Sequence, residues 1–414
     1  MNLRLSIVCL ATAAVGLSMV IVSISKLLLF LAGLTSLLLC CRKRSTSTFA
    51  ELRFTPTAIL SVLALFSLSL LWTTAPDSDA LGSLAKYGKL LAIMLVFLLI
   101  KTRQEALYAA TSFFAAQCFL LASSWILFFG APVPWATSNM ALTQYAVFSS
   151  YLDQGIISAV FAALCWHLRE LMPGRYGKPF VILLIALALS NVFFVLKGRT
   201  GHVVAIALIS LAAMWELPTR YRCAAFFLPF LLVFALTMGS SKLRERFSLV
   251  TTELQAYLSQ QQSVTSSGIR LGLWSSSIQM MQKHAFLGTG VGSWSTEYNR
   301  LQREKNPQHE DIQGNFNPHN EYLLWSVQLG FAGVFLYLAL LCALIADAQR
   351  MRKNEARALF SAVMALAIAG LFNSSLYDSY IGDFFCIVIG LLLALGLRER
   401  KSKNATAPVP GAAA

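Results

Sequence analysis

Apolar runs of about 17 to 25 residues recur along the whole chain, each long enough to cross roughly 30 Å of hydrocarbon as a helix. Hydrocarbon offers a backbone no water to bond to, so a run of this kind must satisfy its own amides and carbonyls, as a helix does. Spans are predicted near 5–24, 27–41, 56–74, 84–100, 105–129, 151–168, 179–196, 202–216, 223–239, 320–346, 358–376 and 380–397. The second is short and reads as tilted or partly re-entrant. The first follows the single Arg4, is too long for a signal-peptide core and has no small-residue cleavage site after it, so it reads as a retained helix. Only 13% of residues are charged, against about 25% in a soluble domain. A water-soluble fold of 414 residues is excluded, and the fold class is all-α integral membrane.

A formal charge of +14 raises the question of a nucleic-acid partner, but the distribution answers it. With a cytoplasmic N-terminus, the inner loops CRKRSTSTFAELR, KTRQEA, RELMPGRYGKP, PTRYR and AQRMRKNEAR, the tail RERKSK and Arg4 hold 20 of the 33 Lys and Arg. That is the positive-inside pattern of a multi-pass membrane protein with both termini cytoplasmic, and no nucleic-acid partner is predicted. Cys9, Cys118, Cys342 and Cys386 fall within spans, and Cys40, Cys41, Cys165 and Cys223 lie at or near cytoplasmic ends. No disulfide framework and no Cys/His metal spacing follows.

The pattern of short connections breaks once. Residues 1–239 carry nine spans, 240–319 form one large periplasmic segment, 320–397 carry three more spans, and 398–414 read as a disordered cytoplasmic tail. Within the large segment, Leu243, Phe247, Val250, Leu254 and Leu258 have the spacing of an amphipathic surface helix. A second helix is predicted over 267–283. After it come the turn FLGTGVGSW and the polar run NRLQREKNPQHEDIQGNFNPHN. A lone Gly-x-Gly without a flanking strand and helix reads as a tight turn, not a phosphate cradle.

Charged residues at the outer ends of spans are functional candidates because they are costly there unless used or paired. They are Lys86 and Lys89 at the start of the fourth span, Asp153 at the start of the sixth, Lys197 and Arg199 in LKGRTGH, Arg270 in SSGIRLGLW, His319 in NPHNEY, and Asp378 and Asp383 in the last outer turn. All fall on one predicted side, and the excess of cations suits an anionic ligand. Snorkelling explains Lys86 and Lys89 as well as function does. Helix capping or pairing with lysines is the plainer role for the three aspartates. Arg199 is harder to explain as snorkelling, since it sits in a short turn on the side where positive charge is disfavoured. Asn317-Pro318 ahead of an apolar run predicts an N-cap and a first-position proline. His319 then falls in the first turn, where the helix dipole favours a neutral imidazole, a general base near neutral pH.

These residues resemble the O-antigen ligase and O-antigen polymerase-like membrane glycosyltransferases. The family's signature is His, then Asn, Ser or Gln, nine residues, Gly, two residues, and Gly, Thr or Tyr. His319-Asn320, EYLLWSVQL, Gly330, Phe331-Ala332 and Gly333 match it throughout. Arg270, Trp274, Gly288, Gly290 and Gly292 are similar to the family's arginine–tryptophan–glycine stretch, and GRTG around Arg199 to its earlier outer arginine turn.

The resemblance implies transfer of a glycan from undecaprenyl pyrophosphate at the periplasmic face to a sugar hydroxyl of lipid A–core. It implies His319 as base, Arg199 and Arg270 on the pyrophosphate with Lys86 and Lys89 as lesser contacts, and support from Asn320, Asp153, Asp383 and Trp274. Direct displacement with inversion, no metal and no cofactor are expected, with membrane lipids as further partners. An O-antigen polymerase and a protein O-oligosaccharyltransferase acting on pilin share the signature. A transporter of lipid-linked glycans fits less well, since the chain shows no repeat and few charges at mid-span.

Overall fold

A computed structural model describes residues 2–42, 51–172, 174–222, 227–239, 266–314 and 316–405, and the described residues are helical with no strand. The amphipathic helix predicted around Leu243 to Leu258 lies outside them. In chain order the helices are α1 (Leu3–Ala14), α2 (Met19–Arg42), α3 (Thr55–Leu68), α4 (Asp77–Tyr87), α5 (Leu91–Leu99), α6 (Arg103–Phe128), α7 (Ala141–Gln144) and α8 (Tyr151–Leu168). There follow α9 (Gly177–Ser190), α10 (Arg199–Glu216), α11 (Leu228–Gly239), α12 (Ser266–Lys283), α13 (Trp294–Lys305), α14 (Glu321–Ala348), α15 (Lys353–Gly370) and α16 (Ser379–Ala405).

Seven helical elements among the described residues are long and apolar enough to cross a membrane: Met19–Leu39, Asp77–Leu99, Arg103–Phe128, Tyr151–Leu171, Gly177–Val195, Glu321–Ala348 and Ser379–Arg398. Leu3–Ala14 and Thr55–Leu71 are shorter apolar helices. The chain is therefore an all-α membrane protein, but the twelve-span count is not carried by the helices themselves. Helix α16 is the most enclosed of these elements, Ser379–Arg398 being buried along its length against α5, α6 and α15.

Several predicted boundaries move. The first run is cut at residues 15–18, where Gly16 lies so close to the α6 backbone at Ala116 that a Cβ would meet it at 2.9 Å. Hydropathy continues through this turn, so composition does not reveal it. The fourth span begins at Asp77, and Lys86 and Lys89 therefore sit mid-element, not at its start. Asp77 and Asp79 in the first turn favour that earlier start by opposing the helix dipole. The polar run after the glycine turn is partly helical, as α13. Helix α16 continues to Ala405 through residues assigned to the tail.

The end predicted to be cytoplasmic is held by ion pairs and carbonyl contacts. Arg398 pairs with Glu51 and donates to the Ile100 carbonyl at 2.9 Å. Buried Asp347 accepts from the amides of Arg53, Phe54 and Thr55 at 3.0, 3.2 and 2.9 Å, taking up donors at the start of α3.

Helix α14 breaks at Gly330, with φ 63° and ψ −152°. The break frees backbone groups inside an apolar bundle, and the FLGTGVG turn takes them up. Thr289 and Gly290 donate to the carbonyls of Val327 and Gln328 at 2.9 and 2.8 Å, while Phe331 donates to Ala285 at 2.7 Å. The predicted tight turn is thus a clamp on the broken helix. We expect Gly330→Ala to destabilise the protein by about 2 kcal/mol or more, since the backbone conformation is open only to glycine and a Cβ would run into Phe286. Thermal unfolding in detergent checks this, and an unchanged Tm would refute the clamp.

Candidate active site

The histidine lies one residue ahead of its helix. Asn320 is the N-cap of α14, its Oδ1 accepting from Leu323 N at 3.0 Å, so neither Asn317 nor Pro318 has the predicted capping role. His319 is outside the first turn and takes φ 52°, a left-handed conformation uncommon for a non-glycine residue. The dipole argument required a first-turn position and does not apply. What fixes the ring is local bonding. Asn317 Oδ1 accepts from the His319 amide at 2.9 Å, and His319 Nδ1 lies 3.3 Å from Asn373 Oδ1.

An amide oxygen can only accept, so Nδ1 donates in this contact, which leaves Nε2 as the nitrogen that carries the lone pair whenever the ring is neutral. The Asn373 side chain also lies beside Asp378 and lowers the cost of its ionised form. Asp378 receives a further contact from Asn317 Nδ2 at 3.4 Å. The result is a closed set: His319, Asn373, Asp378 and Asn317.

Two neighbours hold the facing loop, residues 371–378, in position. Asn320 Nδ2 donates to the Leu371 carbonyl at 2.9 Å. Fully buried Glu321 accepts from Trp325 Nε1 at 2.7 Å and from the amides of Leu376 and Tyr377 at 2.8 and 3.3 Å. Asn320 thus has a visible supporting role. Glu321, Asn317 and Asn373 were missed, although a carboxylate directly after His-Asn and the polar NSS inside an apolar region were readable signals.

Helix α12 joins the two parts of the site. Trp274 Nε1 donates to the Pro318 carbonyl at 3.0 Å, docking α12 beside His319. One turn earlier on α12 is Arg270. Burial lowers the affinity of its guanidinium for a proton, Tyr151 opposes that, and nearby Arg199 adds to it. Arg199 is the first residue of α10, which packs on α8 so closely that Gly201 and Gly155 face each other with no room for a Cβ. The structure therefore gathers Arg199, Arg270 and Tyr151. Lys197 points elsewhere, donating to the Thr143 carbonyl at 3.1 Å.

The other candidates divide. Lys86 Nζ lies 4.0 Å from the centre of the Tyr377 ring, and buried Lys89 donates to the Asp378 carbonyl at 2.7 Å. Both therefore back onto the Asp378 loop. Asp153 is in the first turn of α8, capped by Ser150, and lies within electrostatic reach of Asp378. Asp383 pairs with Lys26 at 2.6 Å, the plainer role predicted for it.

Residues 182–338 match the family model described as O-antigen ligase. This stretch contains Arg199, Arg270, Trp274, His319, Asn320 and the Gly330 break, so the sequence signature and the family match fall on the same residues. No curated protein matches the chain.

Burial raises Asp378 above the ordinary carboxylate value, against the opposing pull of His319, Lys89, Asn373 and Lys86. A carboxyl whose folded-state pKa is raised favours folding below its unfolded pKa and loses that contribution as pH climbs through the folded value. Asp378→Asn is therefore expected to narrow the fall in stability between weakly acidic and neutral pH. Unfolding midpoints of both proteins across that range check it, and parallel curves would refute it.

Proposed function

We propose that the chain, O-antigen ligase-like over residues 182–338, transfers a glycan from undecaprenyl pyrophosphate to a hydroxyl of lipid A–core at the periplasmic face of the inner membrane. The observation that carries the reading is one imidazole with its Nδ1 committed to Asn373, joined through Trp274 and Pro318 to a helix that sets Arg270 near Arg199. Two guanidiniums held near each other repel, and an anion between them relieves the repulsion. Guanidinium also suits phosphate oxygens by bidentate bonding.

In this reading the arginines hold the donor pyrophosphate with the anomeric carbon towards His319. The acceptor hydroxyl gives its proton to Nε2 as its oxygen bonds to the anomeric carbon. The bond from that carbon to the pyrophosphate oxygen breaks, and the pyrophosphate leaves with its charge met by Arg199 and Arg270. Displacement in one step inverts the anomeric centre. Asn373 and Asp378 keep the imidazole in its tautomer and favour the imidazolium that forms. No step calls for a metal. Lys86 and Lys89 contribute positive potential from behind Asp378.

The test is transfer by purified protein with lipid-linked glycan, lipid A–core and chelator. His319→Ala is expected to retain donor binding and lose about 100-fold or more in transfer. Arg199→Lys keeps the charge but not the fork, and is expected to weaken both binding and turnover. Equal transfer by His319→Ala would remove the base assignment. Transfer by wild type to a lipid-linked glycan or to pilin instead of lipid A–core would favour the polymerase or protein-transferase reading.

A further inference from the structure

Lys86 and Lys89 open onto a cavity whose lining includes neither arginine. About 370 Å³ in volume, it lies between α2, the Asp77–Leu99 element and the start of α16. Its charged lining residues are three lysines, Lys26, Lys86 and Lys89. Lys26 comes from the top of α2, a residue that sequence reading passed over because it fell between two predicted spans. Phe30 and Leu91 supply apolar wall, and Ser379 adds a hydroxyl-bearing residue.

The carboxylates sit behind the lysines and do not line the space. Asp383 is 2% exposed and bonds to Lys26, with its second oxygen buried and unpartnered. Lys89 is held by the Asp378 carbonyl, and Gly382 leaves room for it, since a Cβ there would meet Nζ at 2.8 Å. Three ammonium groups are thus anchored from behind around one space. Below it, Leu27, Leu31, Leu34 and Leu38 form one exposed apolar face of α2, each more than half exposed. Charge at the mouth with an apolar helix face beneath is the layout of a lipid site, with headgroup above and acyl chain alongside.

We propose that this cavity binds the phosphate of a second lipid, the phosphorylated acceptor glycolipid, separately from the donor's pyrophosphate at Arg199 and Arg270. The identity of that lipid rests on the ligase reading above. The cavity shares one wall with the His319 network through Lys89 and the Asp378 carbonyl, so a glycolipid anchored there by its phosphate extends its sugars towards the same loop. An ammonium binds phosphate as a point charge, whereas a guanidinium fork meets phosphate oxygens in pairs.

The test is native mass spectrometry of detergent-purified protein with three probes: lipid A–core, the same lipid after enzymatic dephosphorylation, and undecaprenyl pyrophosphate. Phosphatidylglycerol serves as competitor. Two variants report on the cavity without touching the arginines or His319. Lys26→Glu reverses one charge. Gly88→Leu fills the space, and its helical φ of −54° accepts leucine, with nothing within 4 Å of the added Cβ.

Both are expected to weaken binding of phosphorylated lipid A–core by about tenfold, leaving undecaprenyl pyrophosphate and the dephosphorylated lipid unchanged. Lys26→Arg should restore it. A parallel fall in undecaprenyl pyrophosphate binding would overturn the proposal by giving the cavity to the donor. Equal competition by phosphatidylglycerol would overturn the acceptor assignment. If phosphate-dependent binding follows the variants while wild type fails to transfer to lipid A–core, the ligase reading fails and the site stands.

Discussion

At Gly330 the backbone of α14 leaves helical geometry within an apolar bundle, and the freed carbonyls and amides have to be met by protein because lipid cannot meet them. They are met by the turn that follows α12. Residues 285–290 bond to 327, 328 and 331, and left-handed Gly288 lets the two backbones approach where a Cβ would meet Gln328 at 2.5 Å. One consequence reaches beyond the break: residues 285–290, which follow α12, are fastened to α14.

That fastening is what assembles the site. Helix α12 carries Arg270 and Trp274, and Trp274 reaches the carbonyl just before His319. From the other side, Asn320 and Glu321 grip the 371–378 loop, which returns Asn373 and Asp378 to the imidazole. Every side chain around His319 is thus fixed by a neighbour bonded to backbone, and the strained φ of 52° persists because its surroundings determine it.

The distribution of cations follows a division of labour. At the end predicted to be cytoplasmic, basic residues meet carboxylates and carbonyls, as Arg398 meets Glu51 and Ile100 and Arg350 meets Asp347 and the Glu51 carbonyl. At the other end, Arg199 and Arg270 are brought towards each other, and Lys26, Lys86 and Lys89 surround a cavity.

Much was already legible in the sequence because the bilayer acts on single segments. Apolar length and the histidine–glycine signature need no knowledge of contacts, and they marked an all-α membrane protein and the stretch that the O-antigen ligase model matches. What hydropathy missed depended on partners distant in the chain. Gly16 ends a helix because α6 passes beside it. Asp77–Leu99 holds Ser83 and Lys89 because those two are buried against protein. Asn320, not Asn317, caps α14 because its amide also bonds to Leu371. Asn373, Glu321 and Lys26 matter only beside residues tens to hundreds of positions away. The sequence by itself determined an all-α membrane protein and the residues that carry the histidine–glycine signature. Only the tertiary structure decided which of them meet, because a hydrogen bond or a shared cavity depends on distances of a few ångströms that no local pattern encodes.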